Sequence, residues 1–249
     1  MILFHDSDYR CLKHLYLEKV SRHMRHLFPN AVSYNRLLEF ETGAAVLLAC
    51  LSRKVLLVKC TGISFVDSIS LRVCRNQRIH IHKVFMGIAQ RGKYFMGCFF
   101  CFKPHLICNE KGEMQNSIRC GWQESNAYID FLYGKLAADK GYINRNLFQC
   151  LFVDGIQLIT KLKSNMKGAL MSVLDKLQLI KWAIIETIND ELKNIAQVEH
   201  SKHRNFDNFI VNILGDIAAY YMFPQKVVCQ CITYISHTTE SILNSSNQR

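Results

Sequence analysis

The order in which strand-like and helix-like patterns follow one another narrows the fold class more than any other property of this chain. After a helical start, three strand candidates come in succession at 63–73, 93–109 and 113–120. The segments that follow are predicted to be a helix at 123–136, a strand at 135–143, a helix at 144–154, a strand at 156–162, one long helix at 170–198 and a last helix at 206–223. Three consecutive strands that pair antiparallel, followed by alternating units, predict a mixed sheet flanked by helices.

This element order predicts an α/β protein with an RNase H-like fold and a small helical segment in front of it. Helical periodicity covers 9–29, where Pro29 ends it, and a second helix is expected over 33–52. We therefore divide the chain into a helical, basic N-terminal segment at 1–55, an RNase H-like domain at 56–224 and a C-terminal tail at 225–249.

Positive charge is concentrated in a few long runs. The chain carries a net charge of +11, and neither 68–109 nor 155–174 contains an acidic residue. A single basic run is usually an ordinary solvated surface, but several together predict a polyanionic partner, most simply nucleic acid. The residues that we expect to contact DNA phosphates are Arg72, Arg75, Arg78, Lys83, Arg91 and Lys93.

The eleven cysteines are scattered, odd in number and often inside apolar runs. The chain has no basic and apolar leader and no apolar run of membrane-spanning length. We therefore expect reduced, mostly buried thiols in a soluble cytoplasmic protein that does not enter the membrane. The alternative is a zinc site built from Cys98, Cys101, His105 and Cys108. Their alternation with Phe is more typical of a strand in which cysteine acts as a small apolar residue.

Three acidic residues occupy unusual positions. Asp67 lies in the middle of an apolar strand, where a lone carboxylate is costly unless a donor or a cation meets it. Asp139 is expected at the C-terminal end of a strand, and Glu186 lies well inside the long helix, on one face with Lys193. Asp139 or Glu186 alone is readily explained as a capping or solvated residue, and the alternative for Asp67 is a buried acid satisfied by the backbone or by an arginine. Together they are the hard oxygen ligands that two Mg²⁺ ions need for attack on a phosphate.

Several blocks of the sequence resemble bacterial DDE transposases of the insertion sequence 982 type. They occur in the right order and extend from Phe28 to Pro224. The blocks are "TGISFVDSISLRVCRNQRIHIHKVFMGIAQRGK", "LAADKGYINRNLF", "FVDGIQLITKLKSNMK" and "IETINDELKNIAQVEHSKHRNFDNFIVNILGDIAAY". In that family the catalytic set consists of an Asp-Ser strand motif, an Asp-x-Gly-Tyr motif and a helical Glu followed seven residues later by Lys.

The resemblance implies a catalytic and metal-binding set of Asp67, Asp139 and Glu186, with two Mg²⁺ or Mn²⁺ ions. Both aspartates would bind or bridge the ions, Glu186 would complete the second site, and Lys193 would contact DNA. The implied reaction cuts the 3′ ends of the protein's own element and joins them to target DNA. It implies a homodimer or larger synaptic complex in the bacterial cytoplasm, associated with the nucleoid when bound.

The chain also departs from the family pattern. Ile69-Ser70 stand where Thr-Pro is usual, 120–131 replaces a Gly-Asn-x-Asp-Asp loop, and Trp182 stands where related transposases place an arginine. The chain begins inside the family's N-terminal helical region, so 1–55 is expected to be an incomplete DNA-binding region. Two alternatives stay open: a catalytically decayed DNA-binding remnant of such a transposase, and a metal-dependent nuclease that does not join DNA.

Overall fold

The computed structural model of the protein describes residues 1–56, 58–74, 76–94, 97–115, 119–120, 132–161, 171–199 and 205–222. The side chains of residues 55, 93, 94, 97–99, 119 and 120 lie outside this description. Residues 123–131 of the predicted helix at 123–136 lie outside the described residues, as does the predicted C-terminal tail. The helix prediction is wrong for 132–136, because 132–134 are not helical and 135–136 begin a strand.

The strands form two sheets. In chain order they are β1 (Ile63–Ser68), β2 (Leu71–Cys74), β3 (Gln90–Tyr94), β4 (Gly97–Phe102), β5 (Pro104–Asn109), β6 (Arg119–Cys120), β7 (Lys135–Ala138) and β8 (Gln157–Thr160). The larger sheet has the order β6-β5-β1-β7-β8, and the smaller one has the order β2-β4-β3. In the larger sheet β1 is antiparallel to β5 and parallel to β7, which is parallel to β8. This is the strand order and direction of an RNase H-like sheet, so the predicted fold class is confirmed.

The two sheets are connected along one long hairpin. β1 continues into β2 after Ile69 and Ser70, and β4 continues into β5 after Lys103. Across this break the Ile69 amide still donates to the Pro104 carbonyl oxygen at 3.0 Å. The smaller sheet is therefore an extension of the two central strands rather than a separate unit.

Seven helices surround the sheets in the described part of the chain. They are α1 (Ile2–His5), α2 (Leu12–His14), α3 (Tyr34–Leu51), α4 (Arg145–Val153), α5 (Val173–Lys181), α6 (Ala183–Asn194) and α7 (Phe206–Met222). α2 continues as π-helix over Leu15–His23, and α3 continues in the same way over Ser52–Leu56. The Ser33 hydroxyl caps α3 by accepting from the Arg36 amide. No helix of the described residues is both long enough and apolar enough to cross a lipid bilayer.

The core has one layer on each face of the larger sheet, because side chains alternate along a strand. Phe65 of β1 packs in a cluster with Ile185, Ile188 and Leu192 of α6 and with apolar residues of α7. The next residue, Val66, faces the opposite way, into a cluster with residues of α4. β1 is thus covered on both sides, and its only charged residue lies near the end where that cover stops.

The N-terminal segment is packed on α7. The His5 ring Nδ1 lies 2.5 Å from the Ala196 carbonyl oxygen and 3.8 Å from Asp216 Oδ1 of α7, and both side chains are buried. Burial raises the pKa of Asp216 well above its usual range. The boundary predicted between 55 and 56 stays a prediction.

The prediction of one long helix at 170–198 is wrong. Two helices, α5 and α6, meet at Trp182. Ile195, which one uninterrupted helix would place on a stripe with Ile184 and Ile188, is 52% exposed. The buried stripe of α6 is instead formed by Ile185, Ile188 and Leu192. The helical pattern runs through Trp182 without a Gly or Pro, so the break comes from packing on the sheet rather than from local propensity.

Candidate active site

The strand register brings two of the three predicted acids side by side. Val66 of β1 is paired in parallel with Ala138 of β7, and Asp67 and Asp139 are the next residues of their respective strands. Neighbouring strands in a sheet are about 4.8 Å apart. The two aspartates therefore leave the sheet together at the carboxyl ends of parallel strands, which is where α/β folds carry their chemistry.

Both aspartates also point to the same face. Residues two apart on a strand share a face, so Asp67 lies on the side of Phe65 and Asp139 on the side of Ala137. Phe65 and Ala137 belong to the core layer that α6 covers. Asp139 is exposed and starts a short 3₁₀ turn, Lys140–Tyr142, without capping it through its side chain. Its carboxylate is therefore available on the α6 side of the sheet.

The third acid is carried by α6. The Asn189 side-chain Nδ2 donates to Asp67 Oδ2 at 2.8 Å. Glu186 precedes Asn189 by three residues, a spacing that places both side chains on neighbouring positions of the same helix surface. Glu186 is exposed. The helix thus presents Glu186 beside the end of β1.

The pKa of Asp67 reflects the proximity of Asp139 and Glu186. The pKa of Asp67 is raised from 3.8 to about 6, mainly by burial and also by the negative charges of Asp139 and Glu186. The Ser68 backbone N–H and the Lys103 ammonium act in the opposite direction. Asp67 is half-buried rather than sealed in the core, and the groups that meet it are the Asn189 amide, the Ser68 N–H and the charge of Lys103. Asp139 and Glu186 are therefore both close enough to Asp67 to repel its negative charge.

The donor set suits a hard divalent cation. Carboxylate oxygens are its preferred ligands, and the mutual repulsion of these three acids is what a bound cation would remove. Within the residues that the structure describes, no group of three or more His, Cys, Asp or Glu side chains is already gathered closely enough to hold a metal ion. The chemistry of the donors fits a metal ion, and the side chains are not drawn together in advance.

The other conspicuous residues of α5 and α6 are engaged with neighbouring elements. The Trp182 indole Nε1 donates to the Val66 carbonyl oxygen at 3.2 Å, and Lys193 Nζ lies 3.5 Å from Ser70 Oγ. Lys181, the basic residue next to Trp182, pairs with Glu110 at 3.6 Å. Trp182 therefore joins the helix junction to β1 at the position where related transposases place an arginine.

The predicted phosphate contacts fall on the smaller sheet and its surroundings. Arg72 lies on β2 and Arg91 on β3, while Arg78 lies in a 3₁₀ segment, Asn76–Ile81, that contacts β4. These three residues and Lys83 are exposed. Arg75 and the side chain of Lys93 lie outside the described residues. We refer to β2, β3, β4, the 3₁₀ segment and the connection from it to β3, which carries Lys83, as the basic lobe.

The zinc alternative gains no support in the part of the chain that the structure describes. Cys101 lies on β4 and Cys108 on β5, both are buried, and burial raises the pKa of the Cys108 thiol. The His105 ring Nδ1 and the Tyr142 hydroxyl are 2.6 Å apart. The pKa of His105 is lowered to about 4, mainly by burial and also by the positive charge of Lys103. The side chain of Cys98 lies outside the described residues.

Sequence reasoning missed Asn189 and Lys103. Asn189 follows Glu186 by three residues, so the two share one surface of α6, and this spacing is the sequence feature that could have identified it. An asparagine within a helix is uncharged and does not by itself indicate a functional site. Lys103 interrupts the second long strand at the position opposite the end of β1. Its relation to Asp67 depends on strand pairing, which the sequence does not display.

The sheet order, with the paired aspartates at its carboxyl edge, is that of an RNase H-like domain. A protein-family model described as "Transposase DDE domain" matches residues 57–206, more than half of the chain. The chain therefore belongs to the DDE transposase family, whose members generally use divalent metal ions.

Two further comparisons add little. A search of curated proteins gave no match. Among solved structures, the chain is similar to the cryoEM structure of a simian T-cell lymphotropic virus intasome in complex with PP2A regulatory subunit B56 gamma, at 13% sequence identity and a TM-score of 0.36. That match covers 71% of this chain, which spans about half (52%) of the viral structure's chain.

Proposed function

We propose that this protein is a transposase that cleaves DNA strands at the ends of an insertion sequence and transfers them to target DNA. Asp67, Asp139 and Glu186 are its catalytic carboxylates. The observation that carries the proposal is the parallel pairing of Val66 with Ala138, which sets Asp67 and Asp139 side by side within the field of Glu186. The family match supports a transposase over other metal-dependent enzymes.

Asp67, Asp139 and Glu186 would hold two Mg²⁺ or Mn²⁺ ions. When bound, such ions activate the attacking water or hydroxyl and stabilise the charge on the phosphate. The surrounding residues of the chain orient the carboxylates. Asn189 and the Ser68 N–H fix Asp67, and Lys103 and Lys193 bring positive charge to the same end of β1. That charge favours the approach of a DNA phosphate to the acids.

The basic lobe would hold the DNA. Arg72, Arg78, Lys83 and Arg91 are exposed on it, and Arg75 and Lys93 belong to the same stretch of chain. Contacts of this type release counterions, so binding should weaken steeply as salt is raised. We further propose that the element is of the bacterial insertion sequence 982 type. Its two ends would be brought together by a homodimer or a larger synaptic complex.

The test is a nicking and joining assay with the full chain and duplexes that carry the DNA on either side of its gene. Asp67→Asn should abolish cleavage in Mg²⁺ or Mn²⁺ but leave DNA binding intact. The matched control is Asp154→Asn, because Asp154 is an exposed aspartate at the end of α4, away from the three acids. That variant should cleave like the wild type.

The outcomes separate the proposed function from its alternatives. Cleavage without metal, or full activity of Asp67→Asn, would refute the assignment of the site. A cleaved product that never joins to supplied target DNA would mark a nuclease. Cleavage that responds to Asp67 and a joined product together would establish the transposase.

A second candidate function is favoured by Trp182. This residue stands where related transposases have an arginine, and its indole is committed to the Val66 carbonyl rather than to a phosphate. Lys181 does not substitute, because it pairs with Glu110. A remnant that binds DNA without cutting it would show salt-dependent binding and no cleavage product in any divalent metal.

A further inference from the structure

We propose that Asn189 is a positioning residue that holds one oxygen of Asp67 and leaves the other oxygen available to the metal ions that Asp67 would bind. This inference rests on the proposed function of Asp67 as a metal ligand. It assigns to α6 a second task besides carrying Glu186.

The contact between the two residues is direct and sheltered. Asn189 Nδ2 lies 2.8 Å from Asp67 Oδ2, and the residue is only 9% exposed. The hydrogen bond joins residues 122 positions apart in the sequence, across the interface of α6 with β1. An amide at this place can fix the rotation of the carboxylate, which two single bonds otherwise leave free.

The orientation of the Asn189 amide is set by its partner. Its oxygen, Oδ1, is buried without a hydrogen-bond partner among the described residues. Turning the amide over would place two acceptor oxygens against each other, so the N–H group must face Asp67. The side chain therefore makes its one described polar contact with the proposed metal ligand.

A neutral donor is well suited to this task. A lysine or arginine would neutralise Asp67 and compete with a divalent cation for it, whereas an amide holds one oxygen and leaves the negative charge in place. Partners that orient a metal ligand in this way typically change metal affinity by about 10- to 100-fold when they are removed.

Two other polar contacts keep α6 and its junction aligned with β1. Trp182 bonds to the carbonyl of Val66 on one side of Asp67, and Lys193 approaches Ser70 on the other. Neither contact touches the Asp67 carboxylate. Because they hold the helix in place independently, removal of the Asn189 amide should release the carboxylate without displacing Glu186.

The experiment measures Mn²⁺ binding by the full chain without DNA, using electron paramagnetic resonance, and measures thermal stability in parallel. Asn189→Leu removes the amide at similar volume. Asn189→Ser keeps a small polar side chain that is too short to reach Asp67, and it serves if the leucine variant does not fold. Both should weaken Mn²⁺ binding by about 10-fold or more.

Asn212 provides the matched control. It is also a buried asparagine whose Nδ2 donates across an interface, to the Val198 carbonyl oxygen at 3.3 Å, and its Oδ1 is likewise unpaired among the described residues. Asn212→Leu should lower thermal stability and leave Mn²⁺ binding unchanged. An equal loss of Mn²⁺ binding in this variant would show that the effect at Asn189 is merely structural.

A double-mutant cycle with Asp67→Asn separates this inference from the proposed function. If Asn189 acts through Asp67, the Asn189→Leu change should add nothing once Asp67 is replaced. Wild-type Mn²⁺ affinity in both Asn189 variants, combined with its loss in Asp67→Asn, would refute the positioning role alone. Mn²⁺ binding that does not respond to Asp67→Asn would refute the proposed metal site itself.

Discussion

Asp67→Asn should make the folded protein more stable at neutral and alkaline pH, although the same change should abolish DNA cleavage. The pKa of Asp67 is raised from 3.8 to about 6, first by burial and then by Asp139 and Glu186. Because the folded state binds this proton more tightly than the unfolded state does, protonation favours folding. That contribution is fully present below pH 3.8 and is lost as the pH rises through about 6.

The size of the effect follows from the pKa difference. One pKa unit corresponds to about 1.4 kcal/mol, so an ionised Asp67 costs the fold about 3 kcal/mol at most. Solvent reaches part of this half-buried carboxylate, which reduces the expected cost to about 2 kcal/mol. Asparagine has nearly the same shape, carries no charge and can still accept from Asn189.

The assay is urea denaturation in EDTA at several pH values between 4 and 8. Asp67→Asn should be about 2 kcal/mol more stable than the wild type at pH 8, and the difference should shrink toward zero near pH 4. Asp154→Asn, at the exposed aspartate on α4, should show no comparable gain. Replacing the EDTA with Mn²⁺ should stabilise the wild type and not the Asp67 variant. A stability gain that is absent at pH 8, or equally large at pH 4, would refute the reasoning.

Two further predictions concern the frame around the site. Gly134→Ala should destabilise the protein by about 2 kcal/mol or more, because its φ is +82° and a Cβ would lie 2.3 Å from the Gly62 carbonyl oxygen. Gly43→Ala in α3 is the control: nothing lies within 4 Å of its Cβ position, and chemical denaturation should show a gain of about 0.5–1 kcal/mol. Trp182→Phe removes the N–H donor to the Val66 carbonyl and should cost about 1–2 kcal/mol. Unchanged stability of the phenylalanine variant would mean that this hydrogen bond does not hold the helix junction.

Much of the fold is predictable from the sequence, because the spacing of apolar residues along the chain marks most of its strands and helices. Apolar alternation marks β1 and the long β4–β5 segment, and the turn that contains Gly112 marks the return of the chain. The break at Trp182 was not predictable in this way. Helical periodicity continues through it, and the packing of α5 and α6 on different strands of the sheet separates them.

The candidate site was partly predictable for a similar reason. Asp67 and Asp139 stand out because a carboxylate next to an apolar strand is costly on its own. Asn189 does not stand out in the sequence, since an asparagine in a helix commonly has no functional role. Its contact with Asp67 depends on the register between α6 and β1, which a long stretch of intervening chain leaves undetermined. Roles that arise from such a register are visible only in three dimensions.

The pairing of Val66 with Ala138 also limits how this protein can vary. Since side chains alternate on a strand, inserting or deleting one residue within β7 would turn Asp139 toward the α4 side and away from Asp67. Length changes that begin and end outside β1 and β7 would leave the two aspartates facing each other. Insertions and deletions should therefore be tolerated in the segments that connect the strands, while the lengths of β1 and β7 should stay unchanged.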